Sequence, residues 1–384
     1  MQVRDPGSGA IIKEQLKFAE AAVRMLPLGL KAVTASALRA LEVQPLKVQS
    51  SCEPIVLMHG FAGFREVKLF DWTLIEYFTG VRRQLGAMGY KIFAPQVALF
   101  DDPHDRAKQW LGAIEKIREE TGAEKVHLVG HSQGGLDARV LVAPAGPPQE
   151  TPLGSLCGLG YGPHVASLTT ISTPHLGSAL ANEINQEVPA HQDALDRLLD
   201  LLNVMAQLIT GSEQDVKRAV KALSRDYMLD YFNRIIEDDP NVPYYAVAGD
   251  PLSVDLVQPL LLPFYLAIRE IDAAAGGGPN DGLVAVSSAF FGNLPPAYED
   301  EEYRELGEHR RPTWKTLGII QADHIAEVGL PLWFQPTDTY DQLPFFAGLA
   351  QFLDKAYTAD MRLRKDGRWE RTPKSGPVPV TVAA

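Results

Sequence analysis

An α/β architecture, a mostly parallel central sheet flanked by helices, is what this sequence predicts, and three observations predict it. Short apolar runs of strand length, such as Ile55-Val56-Leu57-Met58 and Val126-His127-Leu128-Val129, alternate with longer helix-compatible stretches. One of those runs enters a tight turn with glycine on both sides and leaves it as a helix, at Gly130-His131-Ser132-Gln133-Gly134. The residue types able to do chemistry are spread from Phe61 to His324 and must converge, which favours one domain over the two or three that 384 residues would allow.

Composition bounds the function classes. With 46% hydrophobic and 22% charged residues the chain is an ordinary globular protein. A formal charge of -12 argues against nucleic-acid binding, which needs a concentrated basic face. Cys52 and Cys157 are the only cysteines and no spacing motif pairs them with a metal, so both are expected to be free thiols. That suits a reducing compartment, and cytoplasmic residence is the expectation.

Taken in order, residues 1–52 read as an N-terminal helical extension. Met1–Lys17 is polar, and the region Phe18–Val43 mixes apolar residues with Glu20, Arg24, Lys31, Arg39 and Glu42, broken near Pro27. This is the pattern of amphipathic helices rather than of a signal peptide, and no uncharged stretch reaches the roughly 18 residues of a membrane span. Residues 53–360 form the catalytic domain. Its first strand, from Pro54, ends at a His59-Gly60 turn, and Val126–Val129 leads into the glycine-flanked serine. Between the strand-like runs Leu168–Ile171 and Tyr244–Val247, residues of about 180–243 read as a helical insertion. Within it Leu195, Leu198, Leu199, Leu202, Met205 and Leu208 recur at helical spacing, as a cap or lid or as plain core. Asn280-Asp281-Gly282 reads as a turn that can project an aspartate from a strand end. The apolar run Leu317–Ile320 reads as a buried segment followed by a loop carrying His324. The acidic run Glu299–Glu302 reads as a solvated loop, and residues 361–384 as a C-terminal tail.

The chemistry starts at Ser132. A strand, a sharp turn and a helix place a serine hydroxyl clear of the backbone, and the turn is tight enough to demand small neighbours on both sides. A serine is a poor nucleophile at neutral pH unless a histidine takes its proton and a carboxylate orients that histidine. In chain order the acid and then the histidine follow the serine. His324 is the expected base, because His309 lies in the charged segment Glu308–Pro312. Asp281 is the expected acid, with Asp250 after Tyr244–Ala248 as the competitor. The backbone N–H groups of Phe61 and Gln133 are the expected donors to a developing oxyanion. His59, His131 and His175 are expected to pack and hydrogen-bond around the site without a catalytic role.

These residues resemble the bacterial true lipases of the pseudomonad and burkholderial type, members of the α/β-hydrolase superfamily. The resemblance runs from about Glu53 to about Leu330 and includes the segments beginning Pro54, Glu76, Arg106, Lys125, Pro174 and Asn280. It implies a triad of Ser132, Asp281 and His324 with Phe61 and Gln133 at the oxyanion, and hydrolysis of water-insoluble acylglycerols, with contact to a lipid interface. Short-chain carboxylesterase, phospholipase and acyltransferase activities share the same machinery, and a catalytically silent binding scaffold is the reading from another class. No cofactor is required. The resemblance also implies a structural Ca²⁺ with an aspartate ligand two residues after the histidine, but that position is Ala326. Asp255 matches a second ligand, whereas Glu327 and Asp323 have the wrong spacing to compensate, so no metal is expected.

Overall fold

The computed structural model describes residues 53–61, 66–69, 72–186, 189–210, 216–273, 278–292, 311, 313–330, 340–359, 361–363 and 369–371. The N-terminal extension, Cys52, Phe18–Val43, the 299–302 run and His309 lie outside these residues.

Among the described residues six strands form one parallel sheet: β1 (Ile55–Met58), β4 (Ile92–Phe93), β5 (Val126–His131), β8 (Val165–Ile171), β9 (Tyr244–Gly249) and β10 (Trp314–Ile320), in the spatial order β10-β9-β8-β5-β1-β4. Three antiparallel hairpins stand apart from it: β2 (Glu66–Leu69) with β3 (Trp72–Glu76), β6 (Gln149–Thr151) with β7 (Gly154–Leu156), and β11 (Met361–Leu363) with β12 (Trp369–Arg371). The last of these falls within residues 361–384, read from the sequence as a C-terminal tail, and pairs Met361 with Arg371 and Leu363 with Trp369.

Burial on both faces explains the continuous apolar runs of the inner strands. Along β1 successive side chains point opposite ways. Ile55 and Leu57 enter one apolar layer with Phe78, Leu195, Phe264 and Phe346, whereas Val56 and Met58 enter another with Trp110, Ile114, Leu136 and Phe290. The helix Pro103–Thr121 begins where Asp102 accepts from the N–H groups of His104 and Asp105 at 3.0 and 3.1 Å with proline at its first turn, and it ends at Gly122 in the left-handed conformation.

Strand β10 departs from expectation. It is the edge strand, its register slips between Thr316 and Gly318, and its middle residues are exposed, with Leu317 at 38%. An edge strand has one unpaired side, and an extra residue at a bulge points its side chain out of register, so the apolar run Leu317–Ile320 is not a buried segment.

The sheet order places the site. From β1 the chain moves outward to β4, then crosses back to β5 on the opposite side and continues through β8, β9 and β10. The loops leaving β1 and β5 therefore diverge over a crevice at the carboxyl edge, the place where open parallel sheets bind ligands.

Candidate active site

Ser132 follows the last residue of β5 and adopts φ 55 and ψ -131, a conformation that costs an L-residue on the order of 1–3 kcal/mol. Its neighbours hold it there. The Ser132 N–H donates to Ile171 O at 2.9 Å, and its own carbonyl accepts from Thr173 Oγ1 at 2.8 Å and from Gly135 N at 3.1 Å. The flanking glycines are obligatory for contact reasons: a Cβ on Gly130 would stand 2.6 Å from Gly135 Cα, and one on Gly134 would stand 2.3 Å from Met58 O. The helix Gln133–Val142 then runs back under the sheet, fully buried.

The register of β1 on β5 pairs Met58 with Gly130, so two residues further on Gly60 comes level with Ser132. A Cβ at Gly60 would lie 2.6 Å from the Cβ of Ser132. The backbone that leads into Phe61 therefore passes directly beside the serine. Arg106 fixes that loop from below. Its guanidinium, wholly buried, donates to His59 O at 2.6 Å, to Gly60 O at 3.3 Å, to Ala98 O at 2.5 Å, and to Asp137 Oδ2 at 2.7 Å. Trp110 Nε1 donates to the same Asp137 oxygen at 3.0 Å. Burial, only partly offset by Arg106, pushes the Asp137 carboxyl up to about 6.

At the other side of the crevice His324 and Asp281 meet. The ring Nδ1 lies 2.7 Å from Asp281 Oδ2, and the backbone N–H of His324 donates to Asp281 O at 2.8 Å. The second carboxylate oxygen accepts from Leu283 N at 2.8 Å and Val284 N at 2.7 Å, so the acid is held by three contacts and is wholly buried. Asp281 does not project from a strand end as expected. That place belongs to Asp250, and Asp281 comes after the helix Leu262–Ala273, in a turn closed by a bridge between Asn280 and Ala285. Asp250 uses its carboxylate to accept from Leu252 N at 3.0 Å.

A hydrogen-bonded chain that sequence reasoning missed links the two sides. Gly60 N–H donates to Tyr77 Oη at 3.1 Å; Tyr77 Oη lies 2.7 Å from His131 Nδ1; His131 Nε2 lies 3.0 Å from Glu327 Oε2; and Ser172 Oγ donates to Glu327 Oε1 at 2.6 Å. Burial first, and then the charge of Asp281, pushes the Glu327 carboxyl well above its ordinary value. Burial and the nearby His324 push His131 well below its own. Both shifts favour the uncharged form of each partner, and the cause they share is burial. His131, expected from the sequence to pack and hydrogen-bond around the site, is the middle of this chain, and its ring centroid is 4.5 Å from that of His324. His59 and His175 pack as expected. His59 Nε2 accepts from Val97 N at 3.2 Å and burial pushes the ring down to about 3, while His175 stacks on Phe291 at 4.1 Å.

His131, His324 and Glu327 present ligand atoms within 4.8 Å of one another. His131 and Glu327 are engaged through both of their ring nitrogens and carboxylate oxygens by Tyr77, each other and Ser172, and His324 Nδ1 by Asp281, which makes the cluster a hydrogen-bond network. The loop where the resemblance implies calcium does not fit that ion either. Ala326 offers no side-chain oxygen, and Asp323 already accepts from Gln258 N at 2.7 Å, Ala326 N at 2.9 Å, and Ile325 N and Gln258 Nε2 at 3.2 Å each.

A parallel sheet that presents a serine on a strained strand-to-helix turn, with an aspartate–histidine pair on loops at its carboxyl edge, defines a class of protein. Residues 55–260 match the family model described as the alpha/beta hydrolase family, and the chain belongs to that family. It is similar to bacterial lipases. Over 179 residues, 44% of this chain and 44% of the other, it is 31% identical to a triacylglycerol lipase of Burkholderia plantarii. Over 305 residues, 72% of this chain and 97% of the other, it is 27% identical to a triacylglycerol lipase of Pseudomonas fragi. The chain spans about half the length of the curated relatives that it matches at 31% identity. Among solved structures, EstA from Clostridium botulinum superposes with a TM-score of 0.54 at 20% identity, covering 80% of this chain and 88% of that one, and shares the fold.

Proposed function

We propose that this protein is a serine carboxylester hydrolase acting on acylglycerol esters, the activity that the names of its relatives carry. One observation supports the reading above the others: the 2.7 Å contact of His324 with Asp281, beside a serine held in a strained turn between two obligatory glycines. Ser132 attacks the ester carbonyl as His324 takes its proton, and Asp281 holds the tautomer and stabilises the imidazolium. The N–H groups of Phe61 and Gln133 receive the oxyanion, positioned by Arg106 beneath the first and by the helix start at the second. His324 then returns its proton to the leaving alcohol, and water deacylates Ser132 by the reverse roles.

Ser132 is 7% and His324 6% exposed, so both side chains are largely covered. Leu195, Leu198 and Leu199 of the helix Gln192–Thr210 share one apolar cluster with Phe61, Leu261 and Ile325, which supports the cap or lid reading of the insertion. The side chains of Leu202, Met205 and Leu208 lie outside the described residues. No helix among the described residues is long and apolar enough to cross a membrane. No step in this mechanism needs a metal.

The test is a panel of p-nitrophenyl esters and emulsified triglycerides, run beside active-site labelling with a fluorophosphonate. Hydrolysis that disappears in Ser132→Ala, with the label mapped to Ser132, is the expected result. A protein that neither hydrolyses nor labels is a binding scaffold. Asp281→Asn should lose far more activity than Asp250→Asn, and the opposite order would reassign the acid.

A further inference from the structure

Between the end of β9 and the helix Leu262–Ala273 the chain exposes Leu252 at 56%, Val254 at 40%, Leu256 at 41% and Leu260 at 38%, and Leu266 follows on the helix at 48%. Among the described residues these are all of the large exposed apolar side chains except Leu317. Scattered singly they would need no explanation, but a cluster in one segment does. Leu252 adds a second observation. It sits at φ 63, the left-handed region that glycine or asparagine enters with least steric cost, yet the residue there is a leucine turned to solvent.

The underside of this segment is fixed to the active site. Val257 and Leu261 are buried, Gln258 is tied through its backbone and side-chain nitrogens to Asp323 next to His324, and Leu261 packs against Gly282 next to Asp281. The leucines are therefore held outward on a platform that shares its footing with the acid and the base.

Its chemistry narrows the occupant. From residue 252 to residue 266 there is no lysine or arginine, and Asp255, in the exposed turn beside Val254 and Leu256, is the one charged residue, on a chain of net charge -12. Such a face has no attraction for an anionic surface. Nor does it have the tyrosine, tryptophan and arginine anchors that dominate protein interfaces; what it shows is leucine, valine, serine and proline. A fluid apolar phase asks for no shape complementarity, only for buried apolar area.

We propose that residues 252–266 form the face that seats this protein on the uncharged surface of aggregated ester lipid, distinct from the cover helix Gln192–Thr210. The proposal rests on the carboxylester hydrolase reading for its purpose and on the exposed leucines for its location. The test uses the full chain carrying Leu252→Ser, Leu256→Ser and Leu260→Ser together, changes at exposed positions. Flotation with triolein droplets is measured in a Ser132→Ala background, so that binding is read without catalysis. We expect the triple variant to lose droplet binding by roughly tenfold or more. With Ser132 present, it should lose hydrolysis of emulsified triolein to a similar degree, while turnover of dissolved p-nitrophenyl butyrate and the melting temperature stay as in the parent. Vesicles rich in phosphatidylglycerol should bind the parent no better than neutral ones. Unchanged flotation of the variant would overturn the proposal. So would a parent dimer that the variant dissociates, which would make the face a contact between copies. A parent that floats but hydrolyses no ester would sink the enzymatic reading and leave the surface standing.

Discussion

At Ser132 the turn presents the hydroxyl at the cost of backbone strain, and that strain can be measured. Ser132→Ala and Ser132→Gly should both lower hydrolysis by about 10⁴-fold or more, because triad members act as a unit. Only glycine relieves the positive φ, so thermal unfolding should find Ser132→Gly more stable than Ser132→Ala by about 1 kcal/mol. Equal melting temperatures would mean the turn is not strained. Glu327 gives a pH signature. Its folded pKa lies above the unfolded one, so above the unfolded value the unfolded chain releases a proton that the folded chain keeps, and stability is lost as pH rises towards the folded value. Glu327→Gln removes that titration, and Ser172 can turn its hydroxyl to accept from the amide. The stability of the variant relative to the parent should therefore climb with pH, by up to about 1.4 kcal/mol per unit, between mildly acidic and neutral buffer. A flat difference across that range would mean that Glu327 is ionised. The strained turn at Ser132 and the pairing of Asp281 with His324 were legible in the sequence, because a turn motif and a chain order announce them. Glu327 was not, since its role arises from a contact with His131, 196 residues away, and no local pattern marks it.

Among the elements, the helix Gln192–Thr210 has a titratable start. The carbonyl of His191 accepts from Ala194 and Leu195 at 3.0 Å, its N–H donates to Glu183 Oε2 at 2.7 Å, and its ring bridges Glu183 Oε1 at 2.8 Å and Glu270 Oε2 at 3.4 Å. The hydrogen bond to Glu183 is the largest influence that raises the His191 pKa. A raised histidine stabilises fully below its unfolded value and loses that contribution as pH passes up through the folded one. Amide exchange in residues 192–200, corrected for intrinsic rates, should accordingly be faster near about pH 8.5 than near about pH 6, and His191→Gln should abolish the difference. Exchange that is pH-independent in the parent would show that the bridge does not hold the helix. The helical spacing of Leu195, Leu198 and Leu199 disclosed this helix, and their burial agrees with the apolar stripe. Its anchoring on Glu183 and Glu270 was not disclosed, because those residues belong to separate elements. The exposure of β10 was hidden for a similar reason: an apolar run reads alike in a central strand and at an edge, and only the sheet order separates them.

Over the whole molecule, the parallel sheet does what no single segment can, bringing Phe61, Ser132 and His324 to one edge while Asp281 arrives from an excursion beyond β9. The alternation of strands and helices was readable because the inner strands β1, β5, β8 and β9 are buried on both faces and therefore largely apolar. The excursion was not, because nothing local distinguishes an aspartate at a strand end from one returned there by a loop and a helix. That excursion must be fastened to the histidine loop if the pair is to keep its geometry. Here Gln258 and Asp323 fasten it directly, with the backbone bond from His324 N to Asp281 O beside them. Asp323 is wholly buried, and its surroundings push its carboxyl up even with four N–H groups on it, so each donor counts. Gln258→Ala removes one of them and should lower stability by about 1–2 kcal/mol. A chelator, in contrast, should leave both the melting temperature and ester hydrolysis of the parent unchanged, since an ion that is not bound contributes no stabilisation by mass action. If chelation lowers both and Ca²⁺ alone restores them, then backbone oxygens hold the ion without the aspartate that Ala326 replaces, and the Gln258–Asp323 contact is an accompaniment to the metal instead of its substitute.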